Sequence, residues 1–168
     1  MVKWDDLDFL DIAKRCNKFR STCPPTQSIC QLLGIHAQLI ANSDIYLPQG
    51  EKVIFNQIIN NQGDTVDMAA GIFNIKKKGN YLVNWSIAVE GCNTMPFVRF
   101  ALCVGDAIHS SSAIPVTIGM VSGSALITAD ENTTLALVND TSDTVRLQKL
   151  YPIANITIIS AQGGILHA

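Results

Sequence analysis

The chain has 168 residues, a formal net charge of −2, 48% hydrophobic residues and 15% charged residues. This length supports one full domain and a short appendage, the charge provides no basic field for nucleic acid, and no apolar run approaches the ~18 residues of a membrane span. Because the charged share lies below the usual ~25%, we expect part of the outside to be buried against other copies of the chain.

Residues 1–34 are predicted to form a separate helical segment. The side chains of the first six residues carry a net negative charge, with Asp5 and Asp6 outweighing Lys3, whereas a secretory signal needs a basic and then an apolar region, so we expect no signal peptide. Pro24 and Pro25 end a first helix and Gly34 ends a second. The apolar stripe of the first helix consists of Phe9, Ile12, Cys16 and Phe19.

Residues 35–168 are predicted to form a second domain built from strands. β-Branched and aromatic runs alternate there with turns rich in Gly, Asn and Asp, and no helical pattern separates them. Such regular short strands predict an all-β antiparallel sandwich or barrel. The predicted strands are Ile35–Ile40, Ile45–Leu47, Val53–Ile59, Met68–Ile75, Tyr81–Val89, Phe97–Val104, Val116–Ile127, Thr133–Val138 and Ile153–Ile159.

The strand after Gly79 has two contrasting faces, because successive side chains of a strand point to opposite sides. Its bulky face, which we place between the two sheets, consists of Tyr81, Val83, Trp85 and Ile87. Its other face consists of Leu82, Asn84, Ser86 and Ala88. This second face is neither charged nor bulky, so it suits contact with another subunit better than contact with water.

Several short motifs carry a resemblance to a known family. They are Phe55-Asn56, Gly71-x-Phe73, Gly79-x-Tyr81 and a late Leu-rich strand after an acidic turn. Together they resemble the complement globular-head and tumour necrosis factor (TNF) superfamily, and most nearly the C-terminal domains of bacterial collagen-like exosporium glycoproteins. The resemblance covers about residues 36–162. The chain departs from that pattern in having no Gly-x-y collagen repeat and in having Ala129–Asn132 where the family has a Gly-Asp turn.

The resemblance implies a ten-stranded jelly roll that assembles as a homotrimer around a three-fold axis, with the inner sheet facing the axis. Mapped by alternation, the implied trimer interface consists of Leu82, Asn84, Ser86, Thr134, Ala136, Val138, Asn155, Thr157 and Ile159. A register slip of one residue would exchange the late residues for Leu135, Leu137, Ile156 and Ile158.

The cysteines fit no zinc pattern. Cys16, Cys23 and Cys30 are seven residues apart, which is not the Cys-x-x-Cys spacing of a zinc site. Free thiols, disulfides within or between subunits, and a metal site all stay open for these three. Cys92 is predicted to lie in an exposed loop, and Cys103 is predicted to be packed among core residues.

No catalytic constellation emerges from the histidines His36, His109 and His167. A metal-dependent jelly-roll enzyme needs several histidines and a carboxylate that converge on one ion, and this pattern is missing. His109 lies in a Ser-rich stretch that we interpret as a polar loop, because no Gly-x-Ser-x-Gly elbow accompanies it. We therefore expect neither catalysis nor a cofactor.

Acidic residues in the predicted turns match no calcium-loop spacing. They are Asp64, Asp67, Asp130, Glu131, Asp140 and Asp143. Calcium binding, which some members of the resembled family show, stays open on these residues.

Two functional hypotheses follow. The first is a non-enzymatic, trimeric structural or interaction module, with the resemblance implying a bacterial spore or cell surface and other coat proteins or glycans as partners. The alternative is a trimeric head that recognises a protein receptor or a glycan through its loops. A jelly-roll enzyme is a third hypothesis, and the missing cluster of histidine and carboxylate residues counts against it.

Overall fold

The computed structural model describes residues 33–92, 94–115, 118–149 and 151–160, which belong to one compact unit. The regular elements of the described residues are all strands. They are β1 (Leu33–Leu39), β2 (Ile45–Leu47), β3 (Gln57–Gln62), β4 (Val66–Ala69), β5 (Ile72–Ile75), β6 (Gly79–Gly91), β7 (Phe97–Val104), β8 (Ala107–Pro115), β9 (Gly119–Ala129), β10 (Thr134–Asn139), β11 (Val145–Leu147) and β12 (Ala154–Ser160).

The strands form two antiparallel sheets. The seven-stranded sheet has the order β2-β11-β6-β12-β1-β3, and β9 pairs with the long strand β6. The five-stranded sheet has the order β4-β5-β10-β7-β8. Neighbours in each sheet are mostly distant in sequence, so the pairing is set by tertiary structure rather than by local hairpins. The predicted all-β antiparallel sandwich is confirmed.

The core lies between the two sheets and follows the period-two alternation of the strands. All four residues of the predicted bulky face of β6 are buried there: Tyr81, Val83, Trp85 and Ile87. Leu135 and Leu137 of β10 are buried as part of the same core, from the opposite sheet. Burial of each such side chain stabilises the fold by roughly 1.5–3 kcal/mol.

Tyr81 links the core to the turn that precedes β6. Its ring is fully buried, and its hydroxyl donates a hydrogen bond to the backbone carbonyl of Lys77. Burial raises the pKa of the Tyr81 phenol, because the charged form loses its hydration. The tyrosine of the Gly79-x-Tyr81 motif therefore fixes both the core and the basic turn.

Two glycines are required by close approach. Gly71 adopts a positive φ of 75°, and a Cβ there would lie 2.7 Å from the Cα of Ile54. A Cβ on Gly123 of β9 would lie 2.5 Å from the indole ring of Trp85. The first glycine permits the turn between β4 and β5, and the second makes room for the tryptophan in the core.

Some predicted boundaries were wrong. The run predicted as Met68–Ile75 is two strands, β4 and β5, because the turn at Ala70 and Gly71 has positive φ at both residues. His109 lies in strand β8 and not in a polar loop. Strand β11 was also missed.

Other predictions stay untested. The helical segment of residues 1–34 lies outside the described residues except for its last two positions, Leu33 and Gly34, which belong to β1. The domain division at residue 35 stays a prediction. Within the described part of the chain, no helix is long and apolar enough to cross a membrane.

Candidate assembly interface

Six of the nine predicted interface residues lie side by side on the outward face of the seven-stranded sheet. Strands β6 and β12 pair so that Leu82 lies opposite Ile159, Asn84 opposite Thr157 and Ser86 opposite Asn155. Directly opposite residues of an antiparallel pair point to the same side of the sheet. Their neighbours in sequence, such as Val83 and Ile158, are buried on the inward side.

The flanking strands β9 and β1 continue this surface. Leu126 of β9 lies opposite Leu82, and His36 of β1 lies opposite Thr157. We call the resulting surface the neutral face, and it consists of Gly34, His36, Gln38, Asn80, Leu82, Asn84, Ser86, Met120, Ser122, Ser124, Leu126, Thr128, Asn155, Thr157 and Ile159. It contains no Asp, Glu, Lys or Arg.

Side-chain hydrogen bonds across the strands hold the neutral face in place. The Nε2 of Gln38 donates to Oδ1 of Asn155 at 2.8 Å, and the hydroxyl of Thr128 donates to Oδ1 of Asn80 at 2.7 Å. These polar groups satisfy one another within the chain. Covering them with a second surface therefore costs less than covering unpaired polar groups.

An apolar row crosses the neutral face between the polar rows. Leu126, Leu82 and Ile159 are consecutive neighbours across three strands. Leu126 exposes 67% of its surface and Leu82 exposes 37%. Contiguous exposed apolar residues of this kind are typical of protein–protein contact sites.

Charged residues are placed at the two ends of the sheet. At one end, the Arg146 guanidinium lies 3.0 Å from the Glu90 carboxylate, which raises the pKa of Arg146. At the other end, Lys78 lies 2.7 Å from Asp130. The neutral face lies between these two clusters, so its lack of charge is a property of the middle of the sheet.

A cavity of about 290 Å³ opens where β1, β3 and β12 meet. His36, Asn60, Gln62 and Thr157 contribute its polar groups. The remaining lining residues are apolar and include Ile159 at the end of the apolar row. The flat neutral face therefore has a concave region on its β1 side.

The other three predicted interface residues lie elsewhere. Thr134, Ala136 and Val138 belong to β10, which lies in the five-stranded sheet. The expectation that β10 joins β6 and β12 in one sheet was wrong, because β10 pairs with β5 and β7. One flat contact cannot include both groups. The interface itself stays a prediction for all nine residues.

Sequence reasoning missed the contribution of β9 and β1 to this surface. The alternation of Met120, Ser122, Ser124 and Leu126 with buried or small residues is visible in the sequence. The alternation of Gly34, His36 and Gln38 with buried residues was an equally available signal. Their pairing with β6 and β12 was not, because strand order depends on contacts between distant residues.

The turn carboxylates are mostly engaged with cationic side chains. Lys76 donates a hydrogen bond to Asp64 at 2.6 Å, which holds the pKa of Asp64 below its ordinary value. Asp140 lies 2.6 Å from Nε of Arg99. Asp143 accepts hydrogen bonds from the backbone amide and the hydroxyl of Thr94. Among the described residues, no group of three or more metal-ligating side chains is assembled.

The described cysteines and His109 do not form a site. Cys92 and Cys103 are free thiols and both are half-buried, so Cys92 is less exposed than predicted. Burial raises the pKa of the Cys103 thiol. His109 is exposed on β8. Cys16, Cys23, Cys30 and His167 lie outside the described residues.

The fold of this chain is similar to the folds of several solved structures. The chain is similar to the Eiger TNF of S. frugiperda, with a TM-score of 0.63 and 10% identity over 78% of this chain and 93% of that one. It is also similar to the globular domain of the zebrafish complement 1qA protein, with a TM-score of 0.59 and 14% identity over 77% and 98%. Murine APRIL is similar as well, with a TM-score of 0.61 and 6% identity over 77% of this chain and 99% of that one.

The fold is thus a TNF-like jelly roll. At identities of this size, the likeness establishes the fold alone. No protein-family model and no curated protein sequence matches the chain.

Proposed function

We propose that this chain is a non-enzymatic interaction module that assembles as a homotrimer through the neutral face. The observation that carries the proposal is the absence of Asp, Glu, Lys and Arg from fifteen outward positions of a TNF-like sheet. The outward face of a solvated antiparallel sheet is ordinarily polar and includes charged residues, whereas this face combines uncharged polar residues with a row of exposed apolar ones. The trimeric state comes from the resemblance noted in the sequence.

The physical basis of the proposed assembly is the apolar row. Leu82, Leu126 and Ile159 are partly exposed in the single chain, and covering them removes apolar surface from water. A three-fold arrangement is a closed symmetry, so the same contact repeated three times leaves no copy with an uncovered face. The low charge content of the whole chain agrees with an interface of this kind.

An aspartate at Leu82 tests the proposal. A carboxylate covered without a partner costs several kcal/mol, so we expect Leu82→Asp to weaken assembly by at least about 100-fold. Sedimentation velocity measures the effect as a shift from the assembled mass to the single-chain mass. Because Leu82 faces outward, the fold of the single chain is retained, which circular dichroism checks.

Ile108→Asp is the matched control. Ile108 is an exposed strand residue of similar size, but it lies on β8 in the five-stranded sheet. We expect this variant to keep the assembled mass. Equal loss of assembly in both variants would show that an added carboxylate on either sheet weakens assembly. The neutral face would then not be the specific contact surface.

We further propose a bacterial spore or cell surface as the setting, with coat proteins or glycans as additional partners. This setting is supported by the resemblance to exosporium glycoproteins. Immunogold labelling with an antibody against the purified chain tests it in the source organism. Labelling confined to the cell interior would contradict it.

A second candidate function is a recognition head, and one surface feature favours it. Tyr46 is 60% exposed, and the Arg146 guanidinium lies 5.9 Å from the centre of its ring. Tyr151, in the segment between β11 and β12, is 76% exposed. Tyrosine and arginine are enriched at binding hot spots. A glycan array tests this candidate: specific binding that is lost in Tyr46→Ala and Arg146→Ala favours a recognition head, and binding that both variants retain counts against it.

A further inference from the structure

The neutral face contains a single ionisable side chain, His36. It lies in the middle of β1, opposite Asn60 of β3 and Thr157 of β12. Its side chain is half-buried in the single chain. Any surface that covers the neutral face therefore covers this imidazole.

Within the part of the chain that the structure describes, no acidic side chain of β1, β3 or β12 faces His36. Its outward neighbours on β1 are Gly34 and Gln38, and the amide of Gln38 already donates to Asn155. The residues that line the adjacent cavity, which come from β1, β3 and β12, include no other titratable side chain. Among the described residues, neither ring nitrogen of His36 has a hydrogen-bond partner.

We infer that His36 makes self-association depend on pH, so that the chains assemble when its imidazole is neutral and separate when it is protonated. This inference rests on the proposed function, because it assumes that the neutral face is the contact surface. A neutral imidazole can be covered at modest cost, whereas a covered cation without a partner is expensive. Histidine is the side chain that ordinarily changes charge between pH 5 and 8.

The direction follows from linkage. Assembly favours the neutral imidazole, because a protonated ring that is covered without a partner loses its hydration. Association is therefore strongest near pH 8 and weakens as the pH falls through the range in which histidine side chains ordinarily gain a proton. With the ordinary histidine pKa of about 6.5, and with the covered ring staying neutral, one such side chain reduces the association constant by a factor of about 30 at pH 5. Three equivalent chains multiply this loss to on the order of 10⁴.

Sedimentation velocity of the fluorescently labelled full chain between pH 8 and pH 5 tests the inference. We expect the trimer dissociation constant to rise on the order of 10⁴-fold, with a slope approaching three protons per trimer at the acidic end. His36→Gln keeps a polar side chain of similar length without the titration, and it should assemble equally at every pH. Subunit exchange between differently labelled trimers gives the same comparison if dissociation is too weak to measure.

His109→Gln is the matched control, since His109 is exposed on β8 in the other sheet. This variant should keep the full pH dependence. A pH dependence that persists in His36→Gln, or a wild-type dissociation constant equal at pH 8 and pH 5, would overturn the inference and leave the trimer intact. A wild-type chain that stays single at pH 8 would instead remove the proposed function.

Discussion

The two sides of the seven-stranded sheet differ in composition, although the same strands supply both. On β6, the inward side presents Tyr81 and Trp85 to the core, while the outward side presents Asn84 and Ser86. The inward side is bulky and almost fully buried. The outward residues of the neutral face carry no Asp, Glu, Lys or Arg and are exposed or half-buried. Residues one position apart should therefore have separable effects, with inward changes acting on folding and outward changes acting on association.

The five-stranded sheet presents a different outward side. Arg99 of β7 pairs there with Asp140, and Lys52, whose backbone bridges to Val138 of β10, is exposed. Both sheets bury their inward residues, so lack of charge is not a general property of this sandwich. It distinguishes one face.

The largest expected effect is on the inward side, at Tyr81. Tyr81→Ala deletes a fully buried ring, and we expect it to reduce the free energy of unfolding by about 3–5 kcal/mol. Chemical denaturation measures the loss. Unchanged stability would show that the core is not centred on the inward side of β6. Tyr81→Phe is the control, because it removes only the hydrogen bond to Lys77 and should cost about 0.5–1.5 kcal/mol.

Two neighbouring residues of β9, Gly123 and Ser124, allow the inward and outward sides of one strand to be compared. Gly123→Ala places a methyl group against the Trp85 ring, so we expect a loss of about 1–3 kcal/mol from overpacking. The next residue, Ser124, faces outward, and Ser124→Ala should change stability by less than about 0.5 kcal/mol. Thermal unfolding of both variants measures the difference. Equal melting temperatures would contradict the inward placement of Trp85.

The smallest expected effect concerns the ion pair between Asp64 and Lys76, which belongs to neither side of the seven-stranded sheet. The hydrogen bond from Lys76 lowers the pKa of Asp64, so this carboxylate contributes stability above its unfolded pKa of about 3.9 and loses it as the pH falls through the folded value. Lys76→Met should raise the pKa of Asp64 towards its ordinary value in an NMR titration. Lys77→Met should move it less. The reverse order would contradict the pairing.

Alternation in the sequence predicted the fold well where one side of a strand is buried. The inward residues of β6 and the bounds of β7 follow directly from period-two patterns. Strand β8 was missed because Ala107–Pro115 is an edge strand whose residues are mostly exposed or half-buried, so its serines resembled a loop. The turn at Gly71 was hidden inside an apolar run.

The neutral face could be predicted only in part, for a related reason. Alternation indicates which residues of a strand share a side, and it correctly grouped Leu82 with Asn84 and Asn155 with Thr157. It does not indicate which strands are neighbours. The placement of β10 in the other sheet and of β9 beside β6 depends on pairing between distant residues, and no local pattern encodes that pairing.

The mass of the purified chain at neutral pH tests the central claim most directly. Three copies of the 18.2 kDa chain amount to 54.6 kDa. We expect light scattering to give this mass across a range of micromolar concentrations, because the neutral face is covered in the assembly. A stable species of 18.2 kDa at the highest concentration would contradict the account.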